Sequence, residues 1–126
     1  MDAKSGKRLK TLFAEGEING SCLSSEGTKL ALASDACIIK ILDIETGNTL
    51  KRIKYPAHSV KFLSNQKYVI AIQGREMGIF DTETGKKVKR LTYGKDFLGY
   101  KISVAPYDKI ATVHDQKIRI FSLVYD

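Results

Sequence analysis

The chain alternates short apolar segments with short polar segments, and no stretch has apolar residues at helical spacing. The apolar segments are rich in Ile, Val, Leu, Phe and Tyr and are separated by Gly, Ser, Asn and Asp, which is typical of β-strands joined by tight turns. In the middle of the chain this pattern predicts four consecutive strands, here called a, b, c and d, at 58–64, 67–73, 76–81 and 86–92. We therefore predict an all-β fold.

The four strands of this group differ in polarity. Strands b and c carry apolar residues on both faces, as in Leu30–Ala33, Tyr68–Ile72 and Ile38–Ile39 with Ile41–Leu42. Because neighbouring side chains of a strand point to opposite faces, such runs predict sheets that are covered on both sides. Strand d instead carries many Lys and Arg residues. It is therefore predicted to be the outermost strand, next to solvent.

The group of strands is repeated along the chain. A five-residue motif that begins with Asp and ends with Gly recurs, at intervals of 41 and 38 residues, at 2–6, 43–47 and 81–85. Its Gly stands where a tight turn between strands c and d needs a left-handed backbone. A second marker, the end of strand a, recurs in phase with the first, at Leu23, Leu63 and Val104. Such a repeat is typical of stacked four-stranded units.

The strand order along the whole chain is d, abcd, abcd and abc, at 7–13, 17–54, 58–92 and 99–122. We predict that residues 1–126 form one β-propeller segment of three four-stranded antiparallel blades. Propellers usually have four or more blades, so three blades leave an incomplete ring whose ends expose apolar sheet faces. Two arrangements remain open: the chain is part of a larger propeller, or it forms a homodimer that closes a six-bladed ring. In the homodimer, the leading strand d of one copy completes the last blade of the other.

The repeat resembles the WD-repeat propeller family. The resemblance rests on the turn Ser24–Gly27, on strands c that end in Asp before a Thr-Gly turn, and on Asp115–Phe121, which looks most like the family's Asp-x-x-Ile-Arg-Leu-Trp segment. Phe121 stands where the family has Trp, and the Gly-His dipeptide that usually opens each repeat is missing. The middle copy, through 67–71 and 78–86, also resembles the bacterial YVTN-type propeller repeat.

The resemblance also implies where partners bind. In WD-repeat propellers, partners more often dock on the face formed by the d-to-a and b-to-c loops. The candidate partner-binding residues on this face are Tyr55, Arg75, Glu76, Lys95, Asp96, Phe97 and His114. Three of them, Tyr55, Arg75 and Phe97, are of the kind that dominates interface energies. Turn formation or core packing is the alternative role for each.

Basic residues exceed acidic ones, 21 to 14, and the formal net charge is +7. More than half of the basic residues lie on or beside strands d, where they predict a basic rim around the outer edge. The rim residues of the two complete blades are Lys51, Arg52, Lys54, Lys86, Lys87, Lys89 and Arg90. Such a rim is able to bind RNA phosphates or an acidic protein, whereas Lys on an outer edge strand also serves to prevent edge pairing.

No constellation typical of an enzyme is evident. His58 and His114 lack Cys or carboxylate residues at metal-ligand spacing, and no Gly-rich phosphate loop leads into a helix. The recurring carboxylates lie in the c-to-d turns, where Asp and Thr commonly bond the local backbone; they are Asp43, Glu45, Asp81 and Glu83. We therefore expect no enzymatic activity, no cofactor and no metal.

Two further features bear on the compartment. No apolar stretch is long enough to span a bilayer, and the charged start of the chain has no signal-type apolar segment after it, so we expect no membrane association and a cytoplasmic or nuclear location. Cys22 and Cys37 both lie in apolar segments and are expected to be free, buried thiols. The sequence favours a protein–protein interaction scaffold, with an RNA-associated module that uses the basic rim as the alternative.

Overall fold

Each predicted group of strands forms its own antiparallel sheet in the computed structural model, which describes residues 11–12, 16–64, 66–92, 101–105, 109–114 and 116–123. The first sheet contains, in spatial order, β1 (Ile18–Leu23), β2 (Lys29–Ser34), β3 (Ile38–Asp43) and β4 (Thr49–Lys54). The second contains β5 (Ser59–Phe62), β6 (Tyr68–Ile72), β7 (Glu76–Asp81) and β8 (Lys87–Thr92). The third contains β9 (Lys101–Ala105), β10 (Lys109–His114) and β11 (Lys117–Ser122).

This arrangement confirms the predicted fold class. The described residues contain strands and turns and no helix, and the three sheets do not close into a ring. All four strands predicted for the middle blade are present with bounds close to the predicted ones. The predicted leading strand at 7–13 lies, apart from residues 11 and 12, outside the described residues.

The turns between strands c and d repeat one set of hydrogen bonds. In the second sheet, Asp81 Oδ1 accepts hydrogen bonds from the amides of Glu83 and Thr84, at 2.8 and 3.0 Å. In the first sheet, Asp43 Oδ1 accepts one from the Thr46 amide at 3.1 Å. The Gly that ends each turn has a positive φ, 77° at Gly47 and 75° at Gly85. The prediction that carboxylates bond the turn backbone is thereby confirmed for Asp43 and Asp81.

The sheets pack face to face, and each pair encloses an apolar core. Between the first and second sheets the core includes Ala31, Ile39, Val60 and Phe80. Between the second and third it includes Ile70, Met77, Ile102 and Ile110. Strand β6 contributes to both cores, since Val69, Ile70, Ala71 and Ile72 are all fully buried, as predicted for a sheet covered on both sides. Thr112 is also fully buried in β10, and its Oγ1 has no hydrogen-bond partner among the described residues.

One sequence marker is shifted by a residue. In the first sheet Leu23 pairs with Leu30, which pairs with Leu42 of strand c. In the second sheet Phe62 pairs with Val69, which pairs with Phe80, the repeat counterpart of Leu42. The counterpart of Leu23 in the second sheet is therefore Phe62, and Leu63 is the first residue after β5.

The prediction for Cys37 was wrong. Cys37 is exposed in the turn between β2 and β3, where its amide donates a hydrogen bond to the Ser34 carbonyl at 3.2 Å. Its φ of 63° lies in the left-handed region, so the chain turns at Cys37 and the extended backbone of β3 begins after it. Cys22 is half-buried at the edge of the first core, and both thiols are free.

Candidate functional site

Tyr55 lies between β4 and β5, and the following sheet buries its ring. Only 4% of the residue is exposed, and the ring meets Phe80 edge to face at a centroid distance of 4.9 Å. Its hydroxyl donates a hydrogen bond to Glu76 Oε1 at 3.0 Å, and its amide donates one to the Cys37 carbonyl at 2.9 Å. These contacts tie the end of the first sheet to the second.

Two cations of β8 share the carboxylate of Glu76. Lys87 Nζ lies 3.6 Å from Glu76 Oε1 and Arg90 Nε lies 3.8 Å from Oε2. The ammonium group of Lys87 also lies 5.0 Å from the centre of the Tyr55 ring, within reach of a cation–π interaction. We call Tyr55, Glu76, Lys87 and Arg90 the Tyr55 cluster.

Burial raises the pKa of the Tyr55 hydroxyl above its ordinary value, and the negative charge of Glu76 and its hydrogen bond raise it further. The positive charge of Arg90 opposes this increase in pKa. The hydroxyl therefore remains protonated as a donor to Glu76, and it is not a candidate nucleophile or base.

The cluster joins residues that were predicted to belong to two surfaces. Tyr55 and Glu76 were expected on the partner-binding loop face, and Lys87 and Arg90 on the basic rim. Because Tyr55 is buried, it is a packing residue in this structure and offers no free ring to a partner. Gly78, which was not predicted from the sequence, also belongs here: an added Cβ would lie 2.8 Å from Phe80 Cε2 and 3.3 Å from Tyr55 Cζ. A Gly inside a strand is the signal for such a close approach.

The structure describes the positions of two other predicted loop-face residues. Arg75 is exposed in the turn before β7, and His114 is the last residue of β10. Three predicted residues, Lys95, Asp96 and Phe97, lie outside the described residues. The loop face also holds a cavity of about 290 Å³ lined by Asn19, Ser34, Asp35, Cys37, Pro56, Ala57 and His58. Asp35 Oδ1 accepts a hydrogen bond from the Glu17 amide at 2.9 Å, so this carboxylate ties the chain before β1 to the turn after β2.

The basic rim is less uniform than predicted. Lys87 and Arg90 are paired with Glu76, and the stem of Lys51 lies so close to Gly85 that a Cβ there would be 3.2 Å from its Cγ. The remaining rim residues are exposed; they are Arg52, Lys54, Lys86 and Lys89. Exposed positive charge is therefore present on β4, on β8 and at Lys86 just before β8. Contacts within the chain fix the positions of Lys51, Lys87 and Arg90.

A third surface, the outward face of the third sheet, is apolar and uncovered by the described residues. Ile118 is 69% exposed, Ile120 66% and Val113 43%. In the ladder Ile118 pairs with Val113 and Ile120 with Ala111. We call these four residues the open face.

The same ladder positions are buried in the other two sheets. In the first sheet they are the pairs Ile39–Ala33 and Ile41–Ala31, and in the second Met77–Ile72 and Ile79–Ile70. None of these eight residues is more than 3% exposed, because the next sheet covers them. The open face thus repeats an interface that is occupied twice within the chain.

Lysines border the open face. Lys101 pairs with Val113 and Lys109 with Ala105, so both lie on the outward side of the third sheet, and both are exposed. Next to Lys109 a shallow cavity of about 310 Å³ is lined mainly by Ser103, Ala105, Ala111 and Ile120. The described residues on this side of the sheet include no Asp or Glu.

The described part of the chain shows neither a metal-binding group of side chains nor a membrane-spanning helix. No group of three or more His, Cys, Asp and Glu side chains is placed to hold a metal ion within it. It also contains no helix with the length and hydropathy needed to cross a membrane.

The three stacked sheets define an incomplete β-propeller segment, and comparison with solved structures agrees. The chain is similar to hydrazine synthase of Kuenenia stuttgartiensis, with a TM-score of 0.80 and 14% sequence identity over 96% of this chain. It spans 38% of the length of that chain. At this identity the similarity shows only the fold, a β-propeller-like repeat of antiparallel sheets.

The comparisons do not define a family or an activity. No protein-family model matches the sequence, and no curated protein is detectably similar to it. Membership of the WD-repeat family therefore stays a prediction. In all, 627 chains of solved structures match this one. A fold by itself does not indicate one function.

Proposed function

We propose that this chain is a non-catalytic scaffold for protein–protein interactions and acts within a larger propeller or propeller-like assembly. The observation that carries this proposal is the open face, where Ile118, Ile120 and Val113 stand side by side in solvent. Contiguous exposed aliphatic side chains of this kind commonly mark a protein-binding surface. Burying them against a partner removes the free-energy cost of their hydration.

An RNA-associated role for the basic rim is the alternative. The exposed Lys54, Lys86 and Lys89 support it, because phosphate contacts by lysine provide most of the affinity of non-specific RNA binding. The ion pairs of Glu76 weaken the case, since a phosphate would compete with this carboxylate for Lys87 and Arg90. We therefore favour the scaffold.

Affinity purification of the intact protein from the cells that make it tests the proposal. Wild type is compared with Ile118→Glu, which places a charge on the open face, and with Lys89→Glu, which reverses a rim charge. We expect Ile118→Glu to reduce the co-purified protein by roughly tenfold or more, because a buried charge disrupts an apolar interface. Lys89→Glu, nuclease treatment and a rise in salt are expected to leave it bound.

Both substituted residues are exposed, so we expect the two variants to fold like wild type. Circular dichroism checks this. Loss of the partner on nuclease treatment, with weaker binding by Lys89→Glu and a steep dependence on salt, would support the RNA module in place of the scaffold. Full retention of every partner by Ile118→Glu would remove the open face from the proposal.

A further inference from the structure

We propose that the open face binds a β-sheet from outside this 126-residue sequence, with apolar residues at its centre and carboxylates opposite Lys101 and Lys109. This inference rests on the proposed scaffold function and assigns the chemistry of the partner. The assigned occupant is a sheet of a different sequence, and a helix, a nucleic acid and a second copy of this chain are the alternatives that the experiment distinguishes.

The first argument is continuity with the interfaces already present. The first and second sheets each bury the equivalent positions under a following sheet, whose facing residues are aliphatic and aromatic. The covering pair is Val69 and Phe80 in the second sheet and Ile110 and Phe121 in the third. A partner sheet with a similar aliphatic–aromatic pair would cover Ile118 and Ile120 in the same geometry.

The second argument concerns the first sheet, which would be the cover if two copies met head to tail. Along its strands, side chains that point into the first core alternate with side chains on the outward face. The outward ones include Leu32, Ile38 and Leu42. These three side chains are 5%, 9% and 3% exposed, so the centre of this face is already buried within the chain. Two other residues of this face, Ile18 and Leu23, are 53% and 59% exposed, and both lie on the edge strand β1. Head-to-tail contact with a second copy would therefore meet exposed aliphatic side chains at one edge of this face and buried ones at its centre.

The third argument is electrostatic. If two open faces met each other, the four lysines of the two copies, Lys101 and Lys109 of each, would come together without a described carboxylate on either face. Like charges brought together at an interface oppose binding, whereas complementary charges select the partner. A sheet that carries Asp or Glu at its border fits this surface, and the open face of a second copy does not.

Site-specific photo-crosslinking of the intact protein in its own cells tests the inference. Benzoylphenylalanine replaces Ile120 on the open face and, as a matched control, Val88, an aliphatic residue of β8 that is 52% exposed. A third position, Arg75, samples the loop face. We expect position 120 to give adducts with a strand segment that alternates apolar residues with Asp or Glu, at a yield roughly tenfold above that of position 88.

The outcomes separate the two proposals. Adducts at position 120 with peptides of this same sequence, or with RNA or lipid, overturn the assigned partner. Equal yields at positions 120 and 88 overturn the open face as a site. Protein adducts at position 75 alone would preserve the scaffold function while rejecting this inference.

Charge variants test the carboxylates of the partner. The double change Lys101→Glu and Lys109→Glu is expected to lower the adduct yield at position 120 by roughly tenfold, because it turns attraction into repulsion. The matched change of both residues to Arg is expected to retain the yield. An unchanged yield with the two Glu substitutions would show that the partner carries no carboxylates there, provided that thermal melting shows an intact fold.

Discussion

Replacing Tyr55 with Phe removes one hydroxyl and leaves the ring in place against Phe80. The hydroxyl donates to Glu76 at 3.0 Å in a site where the tyrosine residue is only 4% exposed. A hydrogen bond to a charged group contributes about 1.5–3 kcal/mol. Because Glu76 keeps both cations and its side chain is 15% exposed, water and the ion pairs compensate part of the loss. We expect the free energy of unfolding to fall by about 1.5 kcal/mol at neutral pH.

The same substitution has a signature at alkaline pH. An unfolded chain releases the tyrosine proton near its ordinary pKa of 10.0, whereas the folded chain retains it to higher pH. The folded state then binds more protons than the unfolded state, so the free energy of unfolding decreases as the pH rises above 10.0. The Phe variant lacks this contribution. The stability difference between wild type and variant should therefore be constant below that pH and should shrink above it.

Urea denaturation of both proteins between pH 7 and pH 11 measures these effects, with circular dichroism as the probe of folding. A double-mutant cycle with Glu76→Gln isolates the contact, and its coupling energy should be about 1 kcal/mol. A loss below about 0.5 kcal/mol at pH 7, the range of ordinary surface substitutions, would show that the hydroxyl does not stabilise the fold through Glu76. A gap between the two proteins that stays constant above pH 10 would contradict the assigned direction of the pKa shift.

Three further predictions concern single residues of the sheets and turns. Thr112→Val should raise the free energy of unfolding by about 1 kcal/mol in urea titrations, because it removes a buried hydroxyl without a described partner; a loss of stability would show that Oγ1 is bonded. Gly78→Ala should lower the free energy of unfolding by about 1–3 kcal/mol, since its Cβ would meet Phe80, although Ala in a strand interior normally stabilises. Maleimide should label Cys37 before Cys22 in the native protein, and equal rates by peptide mass spectrometry would contradict their different exposure.

The strands and turns were predictable because their signals are local. Runs of apolar residues predicted β2, β3, β6 and β7, and the Asp-to-Gly motif marked the turns that Asp43 and Asp81 close by hydrogen bonds to nearby amides. Cys37 was misjudged because the turn between β2 and β3 contains neither Gly nor Pro. A left-handed residue other than Gly leaves no clear mark in a sequence.

The surfaces were harder to predict because they depend on residues far apart in the chain. Tyr55 and Glu76 are 21 residues apart, and no local pattern shows that the hydroxyl of one meets the carboxylate of the other. The open face was partly predictable, because the number of strands implied an incomplete ring with exposed apolar sheet faces at its ends. The repeat also aligns Ile118 and Ile120 with Ile39 and Ile41, which are buried. What the repeat did not show is that Leu32 and Leu42 are buried at the opposite end.

This difference between the two ends limits how the molecules are able to assemble. Subunits that bind head to tail through two unlike surfaces form rings or unlimited filaments. Here Leu32, Ile38 and Leu42 are buried at the centre of the outward face of the first sheet, whereas Ile18 and Leu23 at its edge are exposed. The two ends therefore present unlike surfaces, and we expect each molecule to recruit one neighbouring sheet through the open face, in equimolar amount.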